Sequence, residues 1–104
     1  MLWIGAADLA HVGPRFGDPE PLSESDRDSL ERRDGETLKP VLHGDARSFL
    51  GEIRRERDRR RVLALGPLYL LLNAAMPGTG RLRCYAQCSV DAGSYISTAS
   101  LIYP

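Results

Sequence analysis

An aspartate and a histidine three residues apart, Asp8 and His11, are the first side chains in this sequence whose types and spacing could do chemistry. They lie in Asp8-Leu9-Ala10-His11-Val12-Gly13-Pro14-Arg15-Phe16, directly after an apolar run from Leu2 to Ala7. A carboxylate near an imidazole orients the ring and raises its basicity, or the two ligate one metal ion. In open α/β sheets ligands bind beyond the carboxyl ends of strands, so polar groups at that point stand where a site forms. The spacing also fits a plainer arrangement, with Asp8 capping the turn and His11 half-exposed.

Other reactive side chains point to chemistry less clearly. Cys84 and Cys88 share strand parity and face one way, but four residues of strand separate them by about 13 Å, too far for one zinc ion. They are expected to be buried packing thiols. Arg54 to Arg61 holds six arginines against Glu56 and Asp58. It could touch phosphate, yet without interleaved aromatics it reads as the solvated end of a helix. His43, beside Gly44, is expected at the surface. There is no CxxC, HExxH, P-loop, GxSxG or GxGxxG motif.

The elements that must position these residues follow from periodicity. Leu2 to Ala7, apolar throughout, predicts a strand buried on both faces. Residues 12–22, with three prolines and two glycines, predict a loop. Ser23 or Ser25 then caps a short polar helix to about Arg33, ended by Asp34-Gly35. Asp45 caps a second helix, whose Ala46, Phe49, Leu50 and Ile53 form one apolar face. Gly66-Pro67 starts a third, apolar nearly all round and therefore expected to be buried, which stops at Pro77 and Gly78. Strands over about Arg81 to Ser89 and Ser94 to Tyr103 close the chain as a hairpin.

With 104 residues, 42% apolar and 27% charged, the chain has the size and composition of one small globular domain, which excludes a multidomain enzyme. Fourteen basic residues balance fourteen acidic ones, so no global field argues for nucleic acid or an anionic membrane. Val62 to Met76 is too short to span a bilayer, which takes about 20 apolar residues. Two cysteines and no leader segment predict a reducing, cytoplasmic setting.

Three motifs, in order, cover nearly the whole chain and resemble the Memo family, protein B of the AmmeMemoRadiSam system. Asp8-Leu9-Ala10-His11-Val12-Gly13-Pro14-Arg15-Phe16 resembles its D-[LF]-x-H-x-G-x-R-F motif. Pro67 through Asn73-Ala74 resembles its P-I-x-x-L-L-N-A helix, and Tyr85-Ala86-Gln87 with Ser94-Tyr95 resembles its closing strands. The resemblance implies the C-terminal part of an α/β sandwich with a mixed sheet, similar in fold to the LigB-type class III extradiol dioxygenases: one buried strand, two to three helices and a C-terminal hairpin. Residues 1–104 then correspond to the C-terminal third of a family member, a partial domain.

It further implies that Asp8 and His11 line a metal-binding or redox pocket, with His11 as ligand or acid/base and Asp8 as its orienter, and that Arg15 and Phe16 shape the pocket mouth. The family's principal histidine ligands have no counterpart here, and Leu63 aligns with a cysteine that many members carry. A lone carboxylate and one imidazole fall short of the two-His, one-carboxylate set of iron dioxygenases. The expectation is therefore no cofactor and no catalysis in isolation, with iron or copper bound if another chain or further AmmeMemoRadiSam components complete the site. The rival readings are a peptide- or protein-binding module, with Arg15 and the 54–61 run as anion contacts, and a degenerate remnant. An abrupt start within an apolar strand predicts an exposed sheet edge and homo-oligomerisation through it.

Overall fold

The computed structural model describes residues 2–104 and combines three helices with a three-stranded sheet, the α/β class with a C-terminal hairpin that the pattern predicts. In chain order the elements are β1 (Trp3–Val12), a single 3-10 turn (Pro14–Phe16), α1 (Glu24–Leu42), α2 (Ala46–Arg55), α3 (Leu65–Ala74), β2 (Arg81–Asp91) and β3 (Ser94–Tyr103). The strand order is β1-β3-β2, and both pairings are antiparallel. These three strands therefore form an antiparallel rather than a mixed sheet. β2 and β3 are joined by Ala92-Gly93 alone, which forces antiparallel pairing.

β1 departs from the strand expected over Leu2 to Ala7. It runs on to Val12, and its first half is buried on one face only: Gly5, Ala7 and Leu9 point to the helices, while Ile4, Ala6 and Asp8 are exposed. The alternation was hidden because the outward residues Ile4 and Ala6 are apolar too.

α1 is capped by Ser23, whose hydroxyl accepts from Asp26 N–H while the Asp26 carboxylate accepts from Ser23 N–H. This reciprocal box satisfies two otherwise free donors. The helix does not stop at Asp34-Gly35. Leu30, Asp34, Thr37, Leu38 and Val41 form its buried face, and the tertiary partners on that face outweigh the local stop signal. α2 begins after the Asp45 cap, with Ala46, Phe49 and Ile53 buried.

The core joins Leu38 and Val41 of α1, Phe49 and Ile53 of α2, Leu68 and Leu72 of α3, Leu9 of β1, and Leu101 and Tyr103 of β3. The Tyr103 hydroxyl donates to Val41 C=O at 2.6 Å, so this aromatic fills the core without an unpaired polar atom. A smaller cluster of Ala10, Val12 and Leu30 lies at the other end of the sheet.

α3 is not buried all round, contrary to expectation. Only Leu68 and Leu72 of the helix are buried, whereas Leu70 is 66% exposed and the flanking Leu63 and Met76 are 68% and 79% exposed. The helix packs on α2 and β1 with one side, and leaves Leu70 exposed on the other. No helix among the described residues is long and apolar enough to cross a membrane.

Candidate functional site

Asp8 and His11 both belong to β1 rather than to a loop beyond it. In a regular strand residues three apart face opposite ways. Here a β-bulge intervenes: Asp8 pairs with Thr98 and His11 with Ile96, so three steps on β1 match two on β3. The extra residue returns His11 to the sheet face that carries Asp8. The bulge frees the Ala10 N–H, which donates to Ser97 Oγ at 2.9 Å.

A second segment completes this corner. After α2 the chain reverses through Arg57, Asp58 and Arg61, all with positive φ, and comes to lie along the outer edge of β1. His11 N–H donates to Arg60 C=O at 2.7 Å, and Ala64 N–H donates to Asp8 C=O at 3.1 Å. These two bonds fix Arg60 to Ala64 antiparallel to Asp8 to His11, and so place Leu63 beside the Asp8–His11 stretch. Asp58 Oδ1 accepts from Val62 N–H and holds the reversal.

His11 is buried. Its Nδ1 lies 3.0 Å from Arg61 C=O and 3.2 Å from Leu9 C=O, so the proton resides on this nitrogen. Its ring meets Phe16 edge-on with centroids 5.4 Å apart. Phe16 thus buttresses the imidazole. Arg15 is largely exposed, with Asp91 at 3.8 Å, while its backbone N–H donates to Ser94 Oγ.

No family model and no curated protein matches the chain.

Few donor atoms converge at this corner. Asp8 is exposed, the Nδ1 of His11 is committed to carbonyl oxygens, and Leu63 has no donor atom. Among the described residues no group of three or more His, Cys, Asp or Glu side chains is placed to hold an ion.

The cysteines are not buried: Cys84 and Cys88 are free thiols exposed on β2. Their shared parity holds, since Cys84 pairs with Ser100 and Cys88 with Ile96 without irregularity between them. β2 is an edge strand and is exposed over most of its length. His43 is exposed at the end of α1, as expected.

The arginine run is only in part a solvated helix end. Arg60 is buried, with Nε on Glu56, Nη1 on Asp34 and Nη2 on the Thr37 hydroxyl. Arg61 pairs with Asp18 at 2.9 Å. That hydrogen bond, aided by the Gly13 N–H, holds the Asp18 carboxyl below its usual range, and Asp18 in turn raises Arg61. Both guanidiniums are engaged by carboxylates of this chain, Arg60 in the interior and Arg61 partly exposed.

Arg60 extends into a network that motif reading missed. Asp34 also accepts from the Tyr85 hydroxyl at 2.6 Å, and Glu56 accepts from Arg33 at 2.6 Å. Burial, then the bond to Asp34, pushes the Tyr85 hydroxyl well above its usual range. The network floors a cleft of about 570 Å³ between α1 and the 18–22 and 56–60 loops. One signal was legible: Asp34 and Thr37 sit on the same helical stripe as Leu30, Leu38 and Val41.

Proposed function

We propose that this chain is a Memo-like segment that contributes Asp8 and His11 to a pocket built jointly with residues from another polypeptide, and that it is catalytically silent alone. One observation carries the reading. The Val62-Leu63-Ala64 stretch, whose Leu63 aligns with the cysteine that many family members carry, hydrogen-bonds along the Asp8–His11 stretch, which resembles the family's acid-and-histidine motif. Segments about fifty residues apart in sequence thus meet where the resemblance requires a common site. The bulge that brings His11 to the Asp8 face supports it as well, because bulges re-aim side chains next to active sites.

In this reading Asp8 and His11 line the pocket, Phe16 steadies the imidazole and Arg15 stands at the mouth. Leu63 replaces a thiolate ligand with an apolar side chain, so iron or copper is held only when other residues supply the donors. The reading also places the protein in a reducing cytoplasm, in keeping with two exposed free thiols.

The test is copper(I) and iron(II) binding by the full chain in a Cys84→Ser/Cys88→Ser background, which removes competing thiols. Leu63→Cys should create an affinity that its parent lacks, and adding His11→Ala should abolish it. Two results would overturn the proposal: stoichiometric binding by the parent that His11→Ala removes, showing a complete site, or no gain from Leu63→Cys.

A further inference from the structure

The strand order β1-β3-β2 leaves two sheet edges, and they are treated differently. Arg60 to Ala64 covers β1 at Asp8 and His11. Among the described residues β2 pairs with β3 on one side and with no strand on the other, although it is eleven residues long and exposed over most of its length. A long uncovered edge is a template for strand addition.

Its sequence, Arg81-Leu82-Arg83-Cys84-Tyr85-Ala86-Gln87-Cys88-Ser89-Val90-Asp91, is self-complementary about Ala86. If two copies of β2 lie antiparallel with Ala86 opposite Ala86, Cys84 faces Cys88 of the second copy, twice. The same register sets Leu82 against Val90 and Arg81 against Asp91 of the second copy, pairing two exposed apolar side chains and two opposite charges. Leu82 and Val90 are 43% and 38% exposed in the single chain. The Asp91 carboxylate lies 3.8 Å from Arg15, outside hydrogen-bond range.

The backbone fits this register. β2 pairs regularly with β3 from Cys84 to Ser89, and its irregularities fall at the two ends, Leu82/Cys84 and Ser89/Asp91. Between the Cys84–Cys88 pair and the Arg81–Asp91 pair each copy contributes one extra residue, Arg83 from one and Val90 from the other, so the register at the Arg81–Asp91 ends is kept. Tyr85 and Gln87 point inward, where Tyr85 bonds Asp34 and Gln87 bonds Arg27 C=O. Cys84, Ala86 and Cys88 therefore share the face away from the helices.

We infer that the β2 edge binds a second copy of this chain, forming a two-fold dimer with one continuous six-stranded sheet and with Cys84 beside Cys88 of the other copy. Directly opposite residues of an antiparallel pair have Cα atoms roughly 4.5–5.5 Å apart, within the span that a disulfide bridges. The thiols thus report the register without being needed for the association.

The first measurement is sedimentation of the reduced chain, which should give twice the mass of one chain. Arg81→Asp sets like charges against each other at both ends and should weaken the dimer by at least about tenfold, while Arg81→Asp/Asp91→Arg restores it. The second is oxidation with oxidised glutathione. One protein thiolate takes up a glutathione half by exchange, and the facing thiolate then displaces it as glutathione thiol. Two protein thiols are oxidised and one glutathione disulfide is reduced. Cys84→Ser and Cys88→Ser should each fail to crosslink alone, since the remaining thiols stand at opposite ends of the paired segment, yet a mixture of the two should crosslink. A monomer in sedimentation, equal crosslinking by the single variants, or Cys84–Cys84 linkage would overturn the proposal.

Discussion

Tyr85 of β2 donates its hydroxyl to Asp34 Oδ2 at 2.6 Å, while Arg60 donates to Oδ1 of the same carboxylate. One buried side chain in the middle of α1 thereby ties the helix to the sheet edge and to the reversal after α2. That reversal lays Arg60 to Ala64 along β1, so the geometry at Asp8 and His11 depends on a charge placed elsewhere.

Asp34→Asn should destabilise the chain by about 2–3 kcal/mol, because it removes one of the two carboxylates, Asp34 and Glu56, that hold the buried Arg60 guanidinium. Arg60→Met should cost a similar amount by stranding Asp34. Tyr85→Phe removes one neutral donor and should cost only about 1 kcal/mol. Urea denaturation midpoints rank the three, and a smaller effect for Asp34→Asn than for Tyr85→Phe would refute the assignment.

Gly13→Ala tests the corner that follows β1. Gly13 has φ +109°, and a Cβ there would lie 2.5 Å from Ser94 Cα and 2.6 Å from Gly93 C=O. These contacts are backbone and cannot swing away, so the loss should exceed the roughly 1–3 kcal/mol of backbone strain alone. Gly35→Ala is the control. It lies within α1 with nothing near its added methyl, and should stabilise by about 0.5–1 kcal/mol. Thermal melts of both variants give the comparison.

What the sequence disclosed follows from which interactions are local. The Ser23 and Asp45 caps, the apolar face of α2 and the β2–β3 hairpin are each set within a few residues, and each is present. Asp34-Gly35 reads locally as a helix stop, but partners 26 and 51 residues away carry α1 through it. The bulge at Asp8 to His11 is invisible along β1, because it depends on the register with β3. The exposed cysteines and the bare side of α3 differ from expectation for another reason: cysteine and leucine are residue types of protein cores, and residue type does not say what covers a face.

Acid should probe the Asp18–Arg61 pair. The bond to Arg61, then the Gly13 N–H, lowers the Asp18 carboxyl in the folded state. A folded value below the unfolded one, about 3.9, means a contribution that is present above that pH and lost as pH falls through the folded value. Melting temperature should therefore drop on acidification below about pH 4, and the drop should be shallower in Asp18→Asn. An unchanged acid limb would show that the pair contributes nothing to folding.

Base should probe Tyr85. Burial, and then its bond to Asp34, raises the hydroxyl in the folded state, and burial raises Tyr103 in the same direction. The folded chain therefore holds these protons more tightly than the unfolded one, whose tyrosines ionise near pH 10. The stabilisation is full below that value and is lost as pH rises toward the folded one. In an alkaline absorbance titration the Tyr85 and Tyr103 phenolates should be missing at about pH 11 and appear only as the chain unfolds. Tyr85→Phe should remove part of that late-appearing signal and flatten the alkaline limb of stability. Asp34→Asn, which takes away the negative charge beside the hydroxyl, should bring Tyr85 ionisation to lower pH. If Asp34→Asn left the titration unchanged while its fold was intact, burial alone would account for Tyr85, and Asp34 would hold α1 to the reversal through Arg60 only.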